Sequence, residues 1–481
     1  MEKKENFVEQ ITSRDEDFSQ WYTDICLKAE LSDYSSVKGC MVVRPLGTAL
    51  WENITKVVDD RLKATGHQNV MMPLLIPERL LLKEAEHVEG FAPEVAWVTA
   101  GGDTELSERL AIRPTSEVLF CEHFQKIIHS YRDLPVLYNQ WVSVMRWEKT
   151  TRPFLRTTEF FWQEGHTCHV DYEDADREAL EILDMYVDVC ENILAIPVVS
   201  GVKSESEKFA GAVKTYTNET LMYDGKALQI TTSHHLGDNF GKAFNINYLD
   251  KNGDSKFVNT TSWAITTRAI GGMIMVHSDD RGLVLPPRIA PVQVNIVPIS
   301  QHQEGVLDKA YELKEQLSQD VTVQVDASDK KPGWKFSESE MRGFPIRIEI
   351  GPRDIAEQTL VVVRRDTLEK TTIKWDDQLN ENIKALLDDI HNNMFNVAKE
   401  RQDKRTRTAT TKEEFAKMIE EGGFVIAPWS GDLAVEEQIK EETGATSRCL
   451  SFENVDADLT GVKDLWNGQD AKYLMHWAKA Y

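Results

Sequence analysis

From Val144 to Thr167 the chain reads VMRWEKTTRPFLRTTEFFWQEGHT, and three of its charged residues are spaced for work on an ionic ligand. Arg146 and Glu148 stand two apart in a strand-like stretch, and alternation along a strand sends both to one face. A short loop containing Pro153 follows, then Arg156 and a second strand-like stretch from Thr157 to Gln163, so that a hairpin returns a second guanidinium toward the first pair. A cation and a carboxylate opening into one pocket, joined by another arginine, suit a phosphate-bearing ligand better than they suit a core. An Arg and a Glu at this spacing are more often a surface ion pair of little energetic consequence. The aromatic density around this one, from Trp147, Phe154, Phe160, Phe161 and Trp162, is not that of a solvated hairpin.

The chain carries neither a GxxxxGK[ST] loop nor a GxGxxG turn after a strand. A nucleotide bound here must therefore be held by arginines and an aromatic platform on an antiparallel sheet. The elements that would position such a site can be read from periodicity. Leu50, Ile54, Val57, Val58 and Leu62 recur at helical spacing with Gly66 just past the last of them, and Val70-Met71-Met72-Pro73 reads as a short strand stopped by proline. Asp176 to Leu194 predicts a long helix with Leu180, Leu183, Val187, Cys190 and Leu194 on one face. Leu228–Thr232, Ser262–Thr267 and Gly272–Val276 predict strands, and many strands with few intervening helices point to an antiparallel sheet with peripheral helices.

The texture changes after Leu283-Val284-Leu285-Pro286-Pro287, where the proline pair predicts a linker. Strands at Val292–Val297, Val321–Val325, Ile346–Ile350 and Leu360–Val363, with helices at Val306–Leu317 and about Asn380–Lys399, make an α/β unit of domain size. The tail opens at Arg401 with a basic, Thr-rich run, then predicts a helix around Glu413–Glu421, a strand Phe424–Pro428 and a closing segment to Tyr481. The whole is a multidomain α/β (α+β) protein divided at 1–286, 287–400 and 401–481.

At 481 residues, 41% hydrophobic and 28% charged, the chain can bury several cores. A charged N-terminus and the lack of an apolar stretch of bilayer length indicate neither a signal peptide nor a membrane span, and cytoplasm is the default. Cys26, Cys40, Cys121, Cys168, Cys190 and Cys449 form no CxxC pair, which argues against a disulfide framework and a zinc ribbon. A formal charge of −24 argues against nonspecific binding of nucleic acid. Any such contact must be local, and the candidate is the stretch holding Lys330, Lys331, Lys335, Arg342, Arg347 and Arg353 with Trp334, which read alone is equally a solvated loop and strand face.

Taken together, these residues resemble a class II aminoacyl-tRNA synthetase, within it the prolyl-tRNA synthetase family of the archaeal and eukaryotic-like type. Three class-defining segments stand in order: the helix Ala49–Leu62 with its strand ending at Pro73, Arg146-Trp147-Glu148 through Gln163, and Thr266-Thr267-Arg268-Ala269-Ile270-Gly271-Gly272 into Val284. Family-specific stretches lie between them: Phe91-Ala92-Pro93-Glu94-Val95-Ala96-Trp97, Arg113-Pro114-Thr115-Ser116-Glu117, and Gln229 through Gly237. The resemblance covers almost the whole chain. It implies a class II antiparallel-sheet catalytic domain, an α/β anticodon-binding domain and a small α/β C-terminal domain.

The resemblance implies that L-proline is ligated to the 3′ end of tRNA(Pro) through prolyl-adenylate, with ATP as substrate and Mg2+ bridging its phosphates. Thr115 and Glu117 would receive the ammonium, Arg146 would orient the carboxylate and the α-phosphate, and Phe91, Trp162 and His234 would enclose the ring. For ATP it implies Phe160 under the adenine with Arg268 on the other face, Arg156 on the outer phosphates, Thr157 at the base, and hydrogen bonds from Gln229, Thr232 and Thr266. The catalytic set is then Arg146, Glu148, Arg156 and Arg268. Glu340, Arg347, Arg353 and Asp354 would read anticodon bases. A homodimer built around the first helix is implied too, although its apolar stripe fits a core equally well.

Two departures from the family stand out. Where many relatives carry zinc-binding cysteines, this chain reads Trp429-Ser430-Gly431-Asp432-Leu433-Ala434-Val435, and Cys449 alone cannot make a four-coordinate site, so no zinc is expected. The segment between the second and third class motifs is too short for the large hydrolytic insertion of bacterial-type enzymes. Two alternatives stay open on the sequence: a synthetase of sister specificity, threonyl or glycyl, and a noncatalytic tRNA-binding paralogue, which would be expected to lose Arg146 and Arg156.

Overall fold

The computed structural model describes residues 11–87 and 94–481, and an eleven-stranded sheet runs through its centre. Lys214–Leu221, Ala227–Gly237, Asn259–Thr266, Glu159–His169 and Val136–Met145 lie side by side and antiparallel. Thr, Ser and His fill alternate positions of these strands, so one face is polar. The other face is covered by the helix Tyr172–Asp188, which starts where the Asp171 side chain accepts from the Asp174 amide and buries Ala175, Ala179, Ile182, Leu183 and Tyr186. Gly165 is required there. A Cβ at Gly165 would fall 2.1 Å from the Trp263 ring on the neighbouring strand.

The helix Pro45–Ala64 forms as its periodicity predicts, with Leu50, Ile54, Val58 and Leu62 buried in the chain's own core and Gly66 at φ +91° just past its end. Several sequence expectations are corrected. The strand expected over Val70–Pro73 is Gln68–Asn69, with Val70 adding one more amide bond to Asn139 O. Helix Asp176–Leu194 ends earlier as an α-helix and closes with a π-turn, Val189–Ile193. Gly272–Val276 is not a strand; it belongs to the helix Arg268–His277. Every residue from Ala269 to Val276 is buried, so no polar face marks the helical period, and a short apolar run of this kind reads equally as a buried strand.

The α/β unit forms a five-stranded sheet in the order Val323–Val325, Val294–Pro298, Ile346–Ile350, Thr359–Arg364, Lys370–Lys374, the first three parallel. Of the basic stretch, expected as loop and strand, Trp334 and Lys335 lie in the helix Pro332–Met341 and Arg353 in the short helix Pro352–Glu357, while Arg347 is on the strand Ile346–Ile350. The proline pair at 286–287 is no exposed linker. Leu283, Leu285 and Ile289 are buried, and the Leu283 and Leu285 amides donate to Met341 and Gly343 carbonyls, so the joint is packed.

The C-terminal unit likewise does not stand apart. The helix Leu379–Lys404 runs through residue 400, and the strands Thr406–Thr408, Phe424–Trp429, Tyr473–Ala478 and Thr446–Ser451 extend the central sheet, the last pairing with Val199–Val202. Where they meet, a Cβ on Gly201 would lie 2.2 Å from Leu450 O, so only glycine permits the approach.

Candidate active site

Phe160, Trp162, Glu164 and His166 alternate along Glu159–His169 and form one wall of a cavity of about 300 Å³. Strand registers align whole rows of its floor. Thr215, His234, Ser262 and His166 lie in one line across four strands, and Thr217, Thr232, Ala264, Glu164 and Gln140 in the next. Gln229 is out of step with Thr232 and His234 by sequence parity. A bulge that skips Ile230 between the Asn218–Thr231 and Glu219–Gln229 pairs turns Gln229 back to their face.

Arg146 and Glu148 are not on the strand, as expected, but just past its end at Met145; the Arg146 amide still donates to Thr158 O (2.8 Å), one step beyond the ladder. Both side chains line the cavity, with Arg156 and Thr157 from the same turn, Thr115 and Glu117 from the start of the helix Glu117–Ile127, and Thr266 and Arg268 from the far end. The cavity thus gathers thirteen of the residues expected for amino acid and ATP. The fourteenth, Phe91, lies outside the described residues.

At the acidic end Thr115 Oγ1 donates to Glu117, which leaves carboxylate surface for a cationic guest. Behind it Glu164 is fully engaged, accepting from the Ser116 amide (3.2 Å) and hydroxyl and from Gln140 Nε2 (2.7 Å), with His166 Nε2 at 2.9 Å. Burial would raise its carboxyl, but His166, Ser116 and Gln140 outweigh this and hold it below the usual carboxylate range. Among the described residues, Glu117, Glu164 and His166 are a cluster whose donor atoms all fall within 4.8 Å of one another. With Glu164 saturated, the cluster fits an ammonium better than a metal ion.

The apolar wall is Trp162, with Phe160 meeting it edge to face at 5.7 Å, and the Arg146 guanidinium lies 5.4 Å from both ring centres. Arg146 is held by its Nε donating to Pro114 O (3.1 Å). Burial lowers its pKa, against the opposing pull of Glu117, Glu164 and Glu148. Opposite, His234 stacks on Phe209 at 4.6 Å and bonds Thr215 Oγ1 (3.0 Å); burial, with His166 adding to it, drops its pKa to about 3, so the ring is neutral. Arg268 donates to Leu155 O (3.1 Å), and burial, reinforced by Arg146 and Arg156, brings it to about 10, still cationic at neutral pH. Trp162 Nε1 and Ser262 Oγ, both in residues that line the cavity, are buried without a hydrogen-bond partner among the described residues.

Sequence reasoning missed Glu164, His166, Ser116, Gln140 and Phe209. The first two were within reach: counting by two from Trp162 along the strand gives both.

The four candidate anticodon residues sit elsewhere. Arg347 NH1 pairs with Glu340 at 2.9 Å and its other nitrogen with Glu349, Glu340 also meets Arg281 at 2.9 Å, and Asp354 accepts the Gly351 amide at 2.8 Å. Arg353 alone among them is strongly exposed, its side chain 85% accessible and, among the described residues, paired with Glu357 on its own helix. In the wider basic stretch, Lys335 is buried and donates to Gln301 Oε1 and Asp326 O.

Three families match successive parts of the chain: tRNA synthetase class II core domain (G, H, P, S and T) over residues 97–277, anticodon binding domain over 293–386, and prolyl-tRNA synthetase, C-terminal, over 412–481. A proline–tRNA ligase of Clostridium botulinum (strain Loch Maree / Type A3) is 60% identical over 482 residues, covering 100% of both chains. The chain belongs to the prolyl-tRNA synthetase family. Proline–tRNA ligase 2 of Bacillus thuringiensis subsp. konkukian is also 60% identical, over 98% of this chain and 99% of its own, and the ligase of Clostridium novyi (strain NT) is 58% identical over 100% of each. The class II core, the anticodon-binding unit and the C-terminal unit typical of the archaeal and eukaryotic type are therefore all present. From the second class motif to the third the chain is used up by sheet strands and the covering helix, with no inserted editing domain.

Proposed function

We propose that this enzyme, a proline–tRNA ligase by family, uses the cavity to join L-proline to AMP and then to the 3′ end of tRNA(Pro). The observation that carries the reading is the division of one cavity into two chemistries: a carboxylate and neutral aromatic end, and an arginine-lined end, with Arg146 between them. A secondary ammonium is received by Glu117 and Thr115, while Trp162 and neutral His234 wall the ring. Arg146 faces the proline carboxylate and the α-phosphate together. The adenine lies on Phe160 with Arg268 on its other side, Arg156 takes the outer phosphates, Thr157 the base, and Gln229, Thr232 and Thr266 hydrogen-bond the nucleotide.

The proline carboxylate, already ionised at neutral pH, attacks the α-phosphorus. An oxygen–phosphorus bond forms, the bond to the β-phosphate bridge breaks, and pyrophosphate leaves with its electron pair. No side-chain nucleophile is needed, so catalysis is alignment and charge stabilisation. The 3′-terminal hydroxyl of the tRNA then attacks the carbonyl and releases AMP. Glu148, whose carboxylate lines the cavity and among the described residues is paired at 3.8 Å with Arg156, would hold a magnesium ion, which would neutralise charge on the departing pyrophosphate.

We place anticodon reading on the unit at 287–400, through Glu340, Arg347, Arg353 and Asp354. The Glu340–Arg347 pair must open for either to meet a base. Cys449 is buried in a strand without a second cysteine near it in sequence, which supports a C-terminal unit held by packing and free of zinc. A cytoplasmic homodimer completes the reading. The stripe of the first long helix is spent on its own core, so the dimer contact falls on neighbouring exposed apolar residues such as Met71, 95% accessible, and Leu74.

Exchange of labelled pyrophosphate into ATP with single amino acids tests the specificity. Proline should dominate, alanine should follow at a rate lower by about 10- to 200-fold for each missing methylene contact, and threonine and glycine should be inert. Exchange driven best by threonine or glycine would refute the assignment.

A further inference from the structure

Glu219 is the most completely buried carboxylate beside the nucleotide end of the cavity, at 0% exposure, and the mechanism above does not use it. It follows Thr215 and Thr217 on the cavity face of Lys214–Leu221, and its register partner is Gln229. Oε2 accepts from Arg448 Nε (3.0 Å) and NH2 (2.8 Å), and Oε1 accepts from Lys203 Nζ (2.7 Å) and from Thr217 Oγ1 (3.0 Å). Thr217 Oγ1 in turn accepts from Gln229 Nε2 (3.1 Å).

The directions of these bonds are forced. An ionised carboxylate only accepts, so Thr217 must spend its one proton on Glu219 and can offer Gln229 only a lone pair. The Gln229 amide must then turn its NH2 toward Thr217, leaving Oε1, which has no protein partner among the described residues, for the cavity. A free glutamine could present either end. Arg448 belongs to the C-terminal unit, on the strand Thr446–Ser451, so that unit shares with Lys203 in keeping the Glu219 carboxylate ionised and in place.

We propose that Glu219, ion-paired with Lys203 and with Arg448 of the C-terminal unit, is a positioning residue that acts through Thr217 to hold Gln229 with its carbonyl oxygen toward a hydrogen-bond donor of the nucleotide, a ribose hydroxyl or the adenine amine. This rests on the assignment of Gln229 to the nucleotide. It gives the C-terminal unit a part in nucleotide recognition although none of its residues lines the cavity.

The test is proline-dependent pyrophosphate exchange by the full-length chain carrying Thr217→Val, Thr217→Ser or Gln229→Ala. The valine removes the hydroxyl and keeps the shape; should it fail to fold, Thr217→Ala serves in its place. Loss of one oriented hydrogen bond should raise the KM for ATP roughly tenfold with the KM for proline unchanged, and the serine, which keeps the hydroxyl, should restore the wild-type value. With 2′-deoxy-ATP or the triphosphate of purine riboside, whichever lacks the true donor, the valine should add no further loss. A Thr217→Val enzyme equal to wild type, beside a Gln229→Ala enzyme with raised KM for ATP, would overturn the relay and leave the nucleotide assignment standing. An unchanged KM for ATP in Gln229→Ala would remove that assignment and the relay with it. Equal rises for ATP and proline would mark general damage and also overturn the proposal.

Discussion

At the scale of single residues, the acidic end of the cavity depends on a carboxylate, Glu164, that the protein itself already engages through Ser116, Gln140 and His166. Glu164 receives Ser116 through both its amide and its hydroxyl, and so fixes the turn that carries Thr115 and Glu117. Its neutral isostere keeps the shape but loses the charge-assisted bonds, each stronger than a neutral one by about 1 kcal/mol or more. Glu164→Gln is expected to raise the KM for proline by about tenfold or more while moving the KM for ATP little; steady-state exchange at varied proline and varied ATP measures both. Equal effects on the two would mean that Glu164 serves the sheet as a whole and not the pocket. His234 contributes differently. Neutral throughout the working range, under the proposed reading it would give the proline ring a polarisable wall without competing for the carboxylate.

At the scale of elements, the strand Glu159–His169 is the spine of the site. Its even residues from Phe160 to His166 face the cavity, and its odd residues from Gln163 on face the helix Tyr172–Asp188, where Gly165 admits the Trp263 indole. Gly165→Ala has nowhere to put its methyl and is expected to cost about 1–3 kcal/mol or more, read as a fall in the denaturation midpoint, with loss of exchange at temperatures where the wild type still works. An alanine variant of wild-type stability would contradict the packing described. Much of this was legible beforehand. Strand Ile346–Ile350 and helix Val306–Leu317 came from plain periodicity, because one face of each is apolar and the other is not. The helix Arg268–His277 was half misread, since a wholly buried segment has no second face to betray its period. The bulge at Ile230 was invisible, as it exists only in the pairing of two strands, and without it Gln229 would point to the wrong side. That thirteen of the candidate residues would line one cavity was legible through family resemblance, and that Glu164 and His166 would join them was legible by alternation alone. The anticodon candidates show the reverse limit: charge in a sequence does not say whether a partner has already claimed it, as Arg347 and Glu340 have claimed each other.

At the scale of the whole molecule, buried ionisable groups tie the units together and set how the protein meets acid. Burial lowers His277 to about 3 and His391 and His476 to about 4 from an ordinary 6.5. The unfolded chain therefore takes up protons first as pH falls below 6.5, and the folded state loses stability from there down to about 4, with no such loss above 7. Glu219, which burial would raise but Lys203 and Arg448 hold near 2, adds stability that is complete above its ordinary 4.5 and drains away as pH falls toward 2. Thermal unfolding followed from pH 8 to pH 4 should show a plateau above 7 and a decline that begins near 6.5 and steepens below 4.5. Stability that holds or rises on acidification to pH 5 would contradict the buried, neutral histidines. The same Glu219 cluster makes the C-terminal unit part of the catalytic sheet and not an appendage to it.

The central claim is that one cavity activates proline on ATP with Arg146 at the junction of the two substrates. Proline-dependent exchange of labelled pyrophosphate into ATP, without tRNA, for wild type and Arg146→Ala tests it most directly. The account predicts exchange in the wild type and a fall of roughly 100- to 1,000-fold in a variant that remains folded, the effect of removing a donor aimed at developing charge. A folded Arg146→Ala protein that exchanges as fast as wild type, or a wild type that exchanges with no amino acid, would contradict it.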